Sequence, residues 1–275
     1  MLPSPRHSLL LLGLLAAPVT FAQEPASEEA QPPPAEEPST ESKEPSRAER
    51  NLNSLDRFFP LTESASTPPT DLRAETTGSA AGGNDAVSGL GVTQQVEVVL
   101  LRGLSLRAGA ELRTDAEGFT PMAQAKYQFL NQKQHGFNLS AGGRYKQLGF
   151  QSESEGGEAE LFVSAGKRWG HLIGTANAVV GAELSRPEGD VETHIGVGYL
   201  VTEQFVVGLN TRYKQEFETG EKLAGNSGRE FELISGGMAG YTWGPVETSL
   251  LAGWYLPRAT MSTGPVAMLR IGLNI

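Results

Sequence analysis

The chain has 275 residues, with 22 Lys and Arg against 32 Asp and Glu, no Cys, 33 Gly and 17 Pro. That length allows one or two domains, and the absence of Cys excludes disulfides, thiolate metal sites and a lipid anchor on cysteine. The net charge of −10, with no basic patch, sets nucleic acid aside as a partner.

Residues 1–22 read as a secretory signal. Arg6 and His7 precede the apolar run Leu9 to Ala17, and Thr20-Phe21-Ala22 ends on the small residue that signal peptidase accepts. The run is shorter than the roughly 20 residues an anchoring helix needs, and no later stretch is long and apolar enough for a membrane helix. Residues 23–70 form a Pro-, Glu- and Ser-rich segment with little to bury, and are expected to be a disordered tail. One apolar island, Asn51 to Leu61, interrupts it. Leu52, Leu55, Phe58 and Phe59 in that island are candidates for docking a partner or the mouth of the folded domain. The plainer alternative is a linker cluster that merely touches that domain.

From residue 71 to 275 the pattern becomes a long series of alternating runs, the period-two signature of β-strands. Leu104, Leu106, Ala108, Ala110 and Leu112 fall opposite Ser105, Arg107, Gly109, Glu111 and Arg113. Phe205, Val207, Leu209 and Tyr213 fall opposite Gly208, Asn210, Arg212, Lys214 and Glu216. Ten strands follow from Leu104 onward. Upstream, a turn is expected at Val92–Gln95, and a poorly alternating run at Leu72–Ala80 supplies a further strand. Twelve strands are preferred over ten, because closed single-chain barrels favour even counts.

Short links at 131–136, 169–171, 201–204 and 244–245 alternate with longer polar ones at 115–119, 148–157, 185–190, 218–229 and 257–264. Many runs reach the about 9–11 residues that a tilted membrane-spanning strand needs, beyond the about 5–6 of an average soluble strand. Aromatic residues cluster at strand ends: Phe129, Phe137, Trp169, Tyr199, Phe205 and Trp243 near the short links, and Tyr145, Phe150, Tyr213, Phe217 and Trp254 near the long ones. Such belts mark membrane interfaces. Hydrocarbon offers backbone groups no water, so a spanning sheet must close on itself. A soluble sandwich or lipocalin-like barrel is the minority alternative. It would carry larger inward residues and shorter strands.

On these residues the chain, from the leader through "MLRIGLNI", resembles small bacterial outer-membrane β-barrel proteins of porin-like type. The resemblance implies an all-β, closed antiparallel transmembrane barrel in the outer membrane of a Gram-negative-type bacterium. The tail and the C-terminus would be periplasmic, and outer-membrane lipid the surrounding partner. The terminal strand departs from the common pattern: it ends in Ile275 and carries no Phe or Trp.

The face opposite the apolar one is the candidate lumen. It carries Arg107, Glu111, Arg113, Lys126, Arg144, Lys146, Glu160, Glu183, Glu192, His194, Arg212, Lys214, Glu216, Glu232, Glu247 and Arg270, with Glu97 among them. Nearly matched charges of both signs fit either a narrow polar path or an ion-pair network that fills the barrel. No catalytic motif is evident. His135 and His171 fall in turns, and His194 beside Glu192 reads as a lumen histidine satisfied by a carboxylate. Asp115, Glu117, Asp190, Glu218 and Glu221 match no metal-loop spacing. No cofactor, metal or enzymatic step is expected. The expected function is passage of small polar solutes through a charged lumen. The rival is a non-conducting scaffold barrel whose tail tethers a periplasmic protein.

Overall fold

The computed structural model describes residues 55–83, 86–114, 118–148, 156–185, 188–218, 230–256 and 263–275. The expected signal segment, most of the expected tail, Leu52, Asp115, Glu117, Phe150 and Glu221 lie outside the described residues. Among the described residues, twelve strands run in chain order: β1 (Leu72–Gly83), β2 (Ala86–Leu101), β3 (Leu104–Arg113), β4 (Phe119–Leu130), β5 (Asn138–Leu148) and β6 (Gly156–Trp169). β7 (Leu172–Glu183), β8 (Glu188–Leu200), β9 (Phe205–Glu218), β10 (Glu230–Trp243), β11 (Val246–Leu256) and β12 (Gly264–Asn274) complete them. Each strand pairs antiparallel with its sequence neighbours. β1 pairs with β12, from Arg73↔Asn274 to Ala81↔Val266, so the sheet closes as a barrel. Closure leaves no open edge for another chain to extend.

Period two places the side chains. Leu161, Leu209, Val163, Ile195 and Val197 are exposed on the outer face, while Glu160, Ser164, Asn177, Glu192 and Asn210 are buried inside. Aromatic rings collect at both ends of the outer face. Trp169, Tyr199 and Trp243 stand at the short-link end. Tyr213 stacks on Phe231 at the other, with ring centroids 6.4 Å apart.

One end of the barrel is made of tight connections. Gly103 turns β2 into β3 with φ 88°, in the left-handed region where a side chain is strained. A single helical turn (Gln132–His135), capped by Asn131, joins β4 to β5. The expected turn at Val92–Gln95 does not exist. Those residues run through the middle of β2, with Val92 opposite Gly78 on β1 and Leu112 on β3. The exposed Gln94 breaks the apolar pattern there, yet the ladder on both sides holds the segment extended. β1 is the poorly alternating run. Its inward residues Arg73 and Glu75 are buried, while its outward positions are small (Ala74, Thr76, Gly78) and carry little apolar signal. β8 begins at Glu188, so the expected 185–190 link is shorter than its composition suggested.

Residues 55–70, expected to belong to the disordered tail, are folded inside the barrel. A 3-10 turn (Leu55–Phe58) leads into an irregular segment ending at Asp71, just before β1 starts at Leu72. Phe58, Phe59, Leu61 and Ala65 are all buried. The composition of residues 23–70 as a whole is too polar to fold alone, but this stretch need not, because the barrel supplies the missing apolar surface.

Candidate channel lumen and its internal plug

Residues 55–70, the plug, occupy the half of the lumen next to the short links, with Asp56 against Gly166, Phe59 against Gly196 and Phe58 against Gly240. Its apolar anchors join a core that the strict in-out alternation concealed: Ile173, Leu200, Val206, Ile234, Met238, Leu251 and Val266 all point inward and cluster with Phe58, Phe59 and Leu61. The sequence signal for this core is a set of adjacent apolar pairs, Leu172-Ile173, Val206-Val207 and Leu250-Leu251, in each of which one member faces out and the other, Ile173, Val206 or Leu251, faces in. Glycines make room for the rings. A Cβ at Gly240 would lie 2.5 Å from Phe58 Cδ1, and one at Gly198 would lie 3.1 Å from Phe59 Cζ.

Two wall asparagines hold the plug backbone much as a neighbouring strand would. Asn177 accepts from the Glu63 N–H at 2.7 Å and donates to the Glu63 carbonyl at 2.8 Å. Asn210 accepts from the Leu61 N–H at 2.8 Å and donates to Thr62 Oγ1 at 2.8 Å. Arg270 donates to the carbonyls of Arg57 and Pro60, and Lys126 to those of Ser64 and Ser66. Within the plug, Asp56 gathers the Ala65 N–H at 2.7 Å and the hydroxyls of Ser64 and Ser66 at 2.9 and 2.8 Å. Buried polar groups need such partners, since each one left unpaired costs about 1–3 kcal/mol.

Glu63 is the charged centre of the contact. Arg107 donates to both of its oxygens, at 2.9 and 3.1 Å, and Gln124 and Lys126 donate to Oε1 at 3.2 Å each. Burial pushes the Glu63 carboxyl upward, but Arg107 and Lys126 outweigh it and hold the group below the ordinary carboxylate value. Behind it, Glu97 takes a further bond from Arg107 at 2.8 Å. Nearer the β1–β12 seam, Arg73 joins Glu75 at 3.0 Å and also Glu247, which faces Arg57 at 3.9 Å.

Beyond the plug, toward the long-link end, the inward charges pair along the wall. Arg144 and Lys146 on β5 meet Glu160 and Glu158 on β6, their register partners. Glu192 receives Arg212 at 3.0 and 2.7 Å and His194 Nε2 at 2.7 Å, while Lys214 meets Asp190 at 3.1 Å. Arg212 reaches on to Glu232 at 3.3 Å, and Lys214 lies 3.5 Å from Glu216. Most of these pairs join adjacent strands: Arg144–Glu160 and Lys146–Glu158 directly opposite, Arg212–Glu192, Lys214–Asp190 and Arg212–Glu232 on the diagonal. Glu183 accepts the Ser185 hydroxyl at 2.8 Å near the rim, and Glu111 and Arg113 continue the inward row of β3.

The four docking candidates part company. Phe58 and Phe59 are buried against the chain's own barrel wall, which leaves neither ring on the surface for another protein. Leu55 opens the 3-10 turn. His171 packs its ring on Tyr199 with centroids 5.6 Å apart, and its Nδ1 lies 3.0 Å from the Leu200 carbonyl. The plug residues Asp56 and Glu63 and the wall residues Asn177 and Asn210 were not singled out by the sequence. An asparagine in mid-strand on the inward face, twice over, is the signal that was there.

The barrel fold has solved counterparts. The fold matches the NanC porin over 74% of this chain and 100% of that one, with a TM-score of 0.57 at 8% identity. It matches an outer-membrane channel from Pseudomonas putida F1 over 76% and 96%, with a TM-score of 0.54 at 11% identity. The chain has the fold of an outer-membrane porin-like barrel. The KdgM porin matches over 74% of this chain and 99% of its own, with a TM-score of 0.50 at 9% identity. No family model matches the chain, and no curated protein matches it in sequence.

Proposed function

We propose that this porin-like barrel is an outer-membrane channel for small polar solutes, closed at rest in its short-link half by residues 55–70. The observation that carries the reading is the division of the strands into an apolar outer face and a charged, polar inner one. In water the outer face would be a continuous greasy surface far larger than a soluble monomer shows. Against hydrocarbon it is at rest. In this reading the short links face the periplasm, so the plug and the C-terminus lie on that side and the long links outside. The core of apolar contacts and the Asn177 and Asn210 clamps account for closure, and the wall pairing of Arg144, Lys146, Arg212 and Lys214 accounts for a polar path above it.

The plug also favours a second reading, a barrel that never conducts and serves as a scaffold. Residues 23–54 would then be the tether for a periplasmic partner, without help from Phe58 and Phe59. Conductance in planar bilayers separates the two. Current steps from the full chain, or from one with the plug loosened, support the channel. A silent bilayer in both cases removes it.

A further inference from the structure

The donors around Glu63 come from the wall, and this has a consequence for the solute if the barrel is a channel. Arg107 lies on β3, and Gln124, its register partner, lies on β4 with Lys126. All three remain in place when the plug leaves. They converge on one planar group: a guanidinium fork takes both oxygens, while an amide and an ammonium take one of them again. That is the pattern by which proteins grip a carboxylate. The wall carboxylate that touches both cations is Glu97, 2.8 Å from Arg107 and 3.6 Å from Lys126. Vacated by Glu63, the seat holds, among the described residues in contact there, two cations against one carboxylate. Open to the lumen, such a seat carries an excess of positive charge and favours an anion in place of Glu63.

We propose that Arg107, Gln124 and Lys126 form a binding site for the carboxylate of a permeating solute, and that Glu63 occupies it as an internal stand-in. A solute carboxylate competes with Glu63 and so favours release of the plug. Two features fit an exchange of this kind. Gln124 Oε1 is buried and has no hydrogen-bond partner beside the seat, which leaves an acceptor for a solute hydroxyl. Arg57 Nε and Nη1 are likewise buried and without hydrogen bonds, so the docked plug leaves polar groups poorly satisfied, and this lowers what release costs.

The chain contains no cysteine, so a single introduced thiol reports on the plug alone. Ala65 is fully buried. The full chain carrying Ala65→Cys is folded into phosphatidylcholine vesicles and treated with a water-soluble thiol reagent. Sodium glycolate is compared with sodium chloride and sodium sulfate at equal ionic strength. Labelling severalfold faster in glycolate than in either other salt is expected, as is fast labelling in chloride when Glu63→Gln is added. Equal rates in all three salts overturn the site, as does acceleration by sulfate that matches glycolate. Hydrogen exchange of residues 59–66 in the unsubstituted chain gives the same comparison should the cysteine variant fail to fold. Conductance in chloride reads the channel separately: current with salt-indifferent labelling defeats the carboxylate site alone, and no current under any condition defeats the channel.

Discussion

Phe59 rests on Gly196 so closely that a Cβ at that glycine would lie 2.4 Å from the ring's Cδ1. The lumen wall is cut to fit a ring supplied from 137 positions earlier in the same chain, and nothing in the local strand sequence announces it. Gly196→Ala is therefore expected to push the ring off its seat while leaving the sheet intact. Heat-modifiability on a gel should stay normal, and conductance should rise above that of the unsubstituted chain. A normal gel with unchanged conductance would show that the ring does not hold the plug.

Truncating the ring itself is the complementary change. Phe59 is fully buried, and Phe→Ala in a packed interior costs about 3–5 kcal/mol. Most of that loss should fall on plug docking, because Phe59 belongs to no strand. Hydrogen exchange is expected to speed up in residues 59–66 and stay slow in β7 to β9. Uniform acceleration through the strands would instead tie the plug to the barrel's own stability.

The seam is held from inside. Arg73 on β1 is buried and binds Glu75 on its own strand, Asn274 on β12 and Glu247 on β11. Removing one partner of a buried ion pair costs about 3–5 kcal/mol. Arg73→Gln should therefore lower the temperature at which the folded barrel converts to the unfolded band. An unaltered transition would mean the seam's backbone ladder suffices.

Acid should loosen the plug at its charged centre. Arg107 and Lys126 press the Glu63 carboxyl below its ordinary value near 4.5, against burial and the Glu97 charge, with Arg144 adding to them. A carboxylate with a depressed folded pKa contributes fully above its unfolded value, and that contribution is lost as pH falls through the folded one. Conductance should be steady from neutral pH down to about 4.5 and rise below it. In Glu63→Gln the acid-induced rise should shrink.

On the outer face, Leu161 sits mid-strand on β6 and is 71% exposed. Leu161→Arg should cost about 2–4 kcal/mol in folding into lipid vesicles, read by urea titration. A change near zero would place that face in water.

The sequence disclosed some layers of this structure and hid others for definite reasons. Period two separates Leu161 and Leu209 from Glu160 and Asn210, so closure, strand direction and the inward set of Arg107, Lys126 and Glu192 could all be read from alternation. β1 was faint because Ala74, Thr76 and Gly78 face outward where larger residues would have signalled a strand. The turn expected at Val92–Gln95 was a false stop caused by one outward Gln94 in a paired strand. The plug was hidden because its stability is not local. Phe58 and Phe59 look like stray apolar residues in a polar tail until Ile173, Leu200, Val206 and Met238 are seen to face them. Register decides which charges meet, and register is a property of the closed sheet. Arg144 with Glu160, and Arg212 with Glu192, could be expected to share a lumen but not to touch.

The decisive measurement is planar-bilayer conductance of the full chain beside the same chain carrying Phe58→Ser and Phe59→Ser. Small or absent current from the first, and larger, frequent steps from the second, are expected if residues 55–70 close a polar channel. Equal conductance from the two would contradict closure by the plug, and silence from both would contradict the channel.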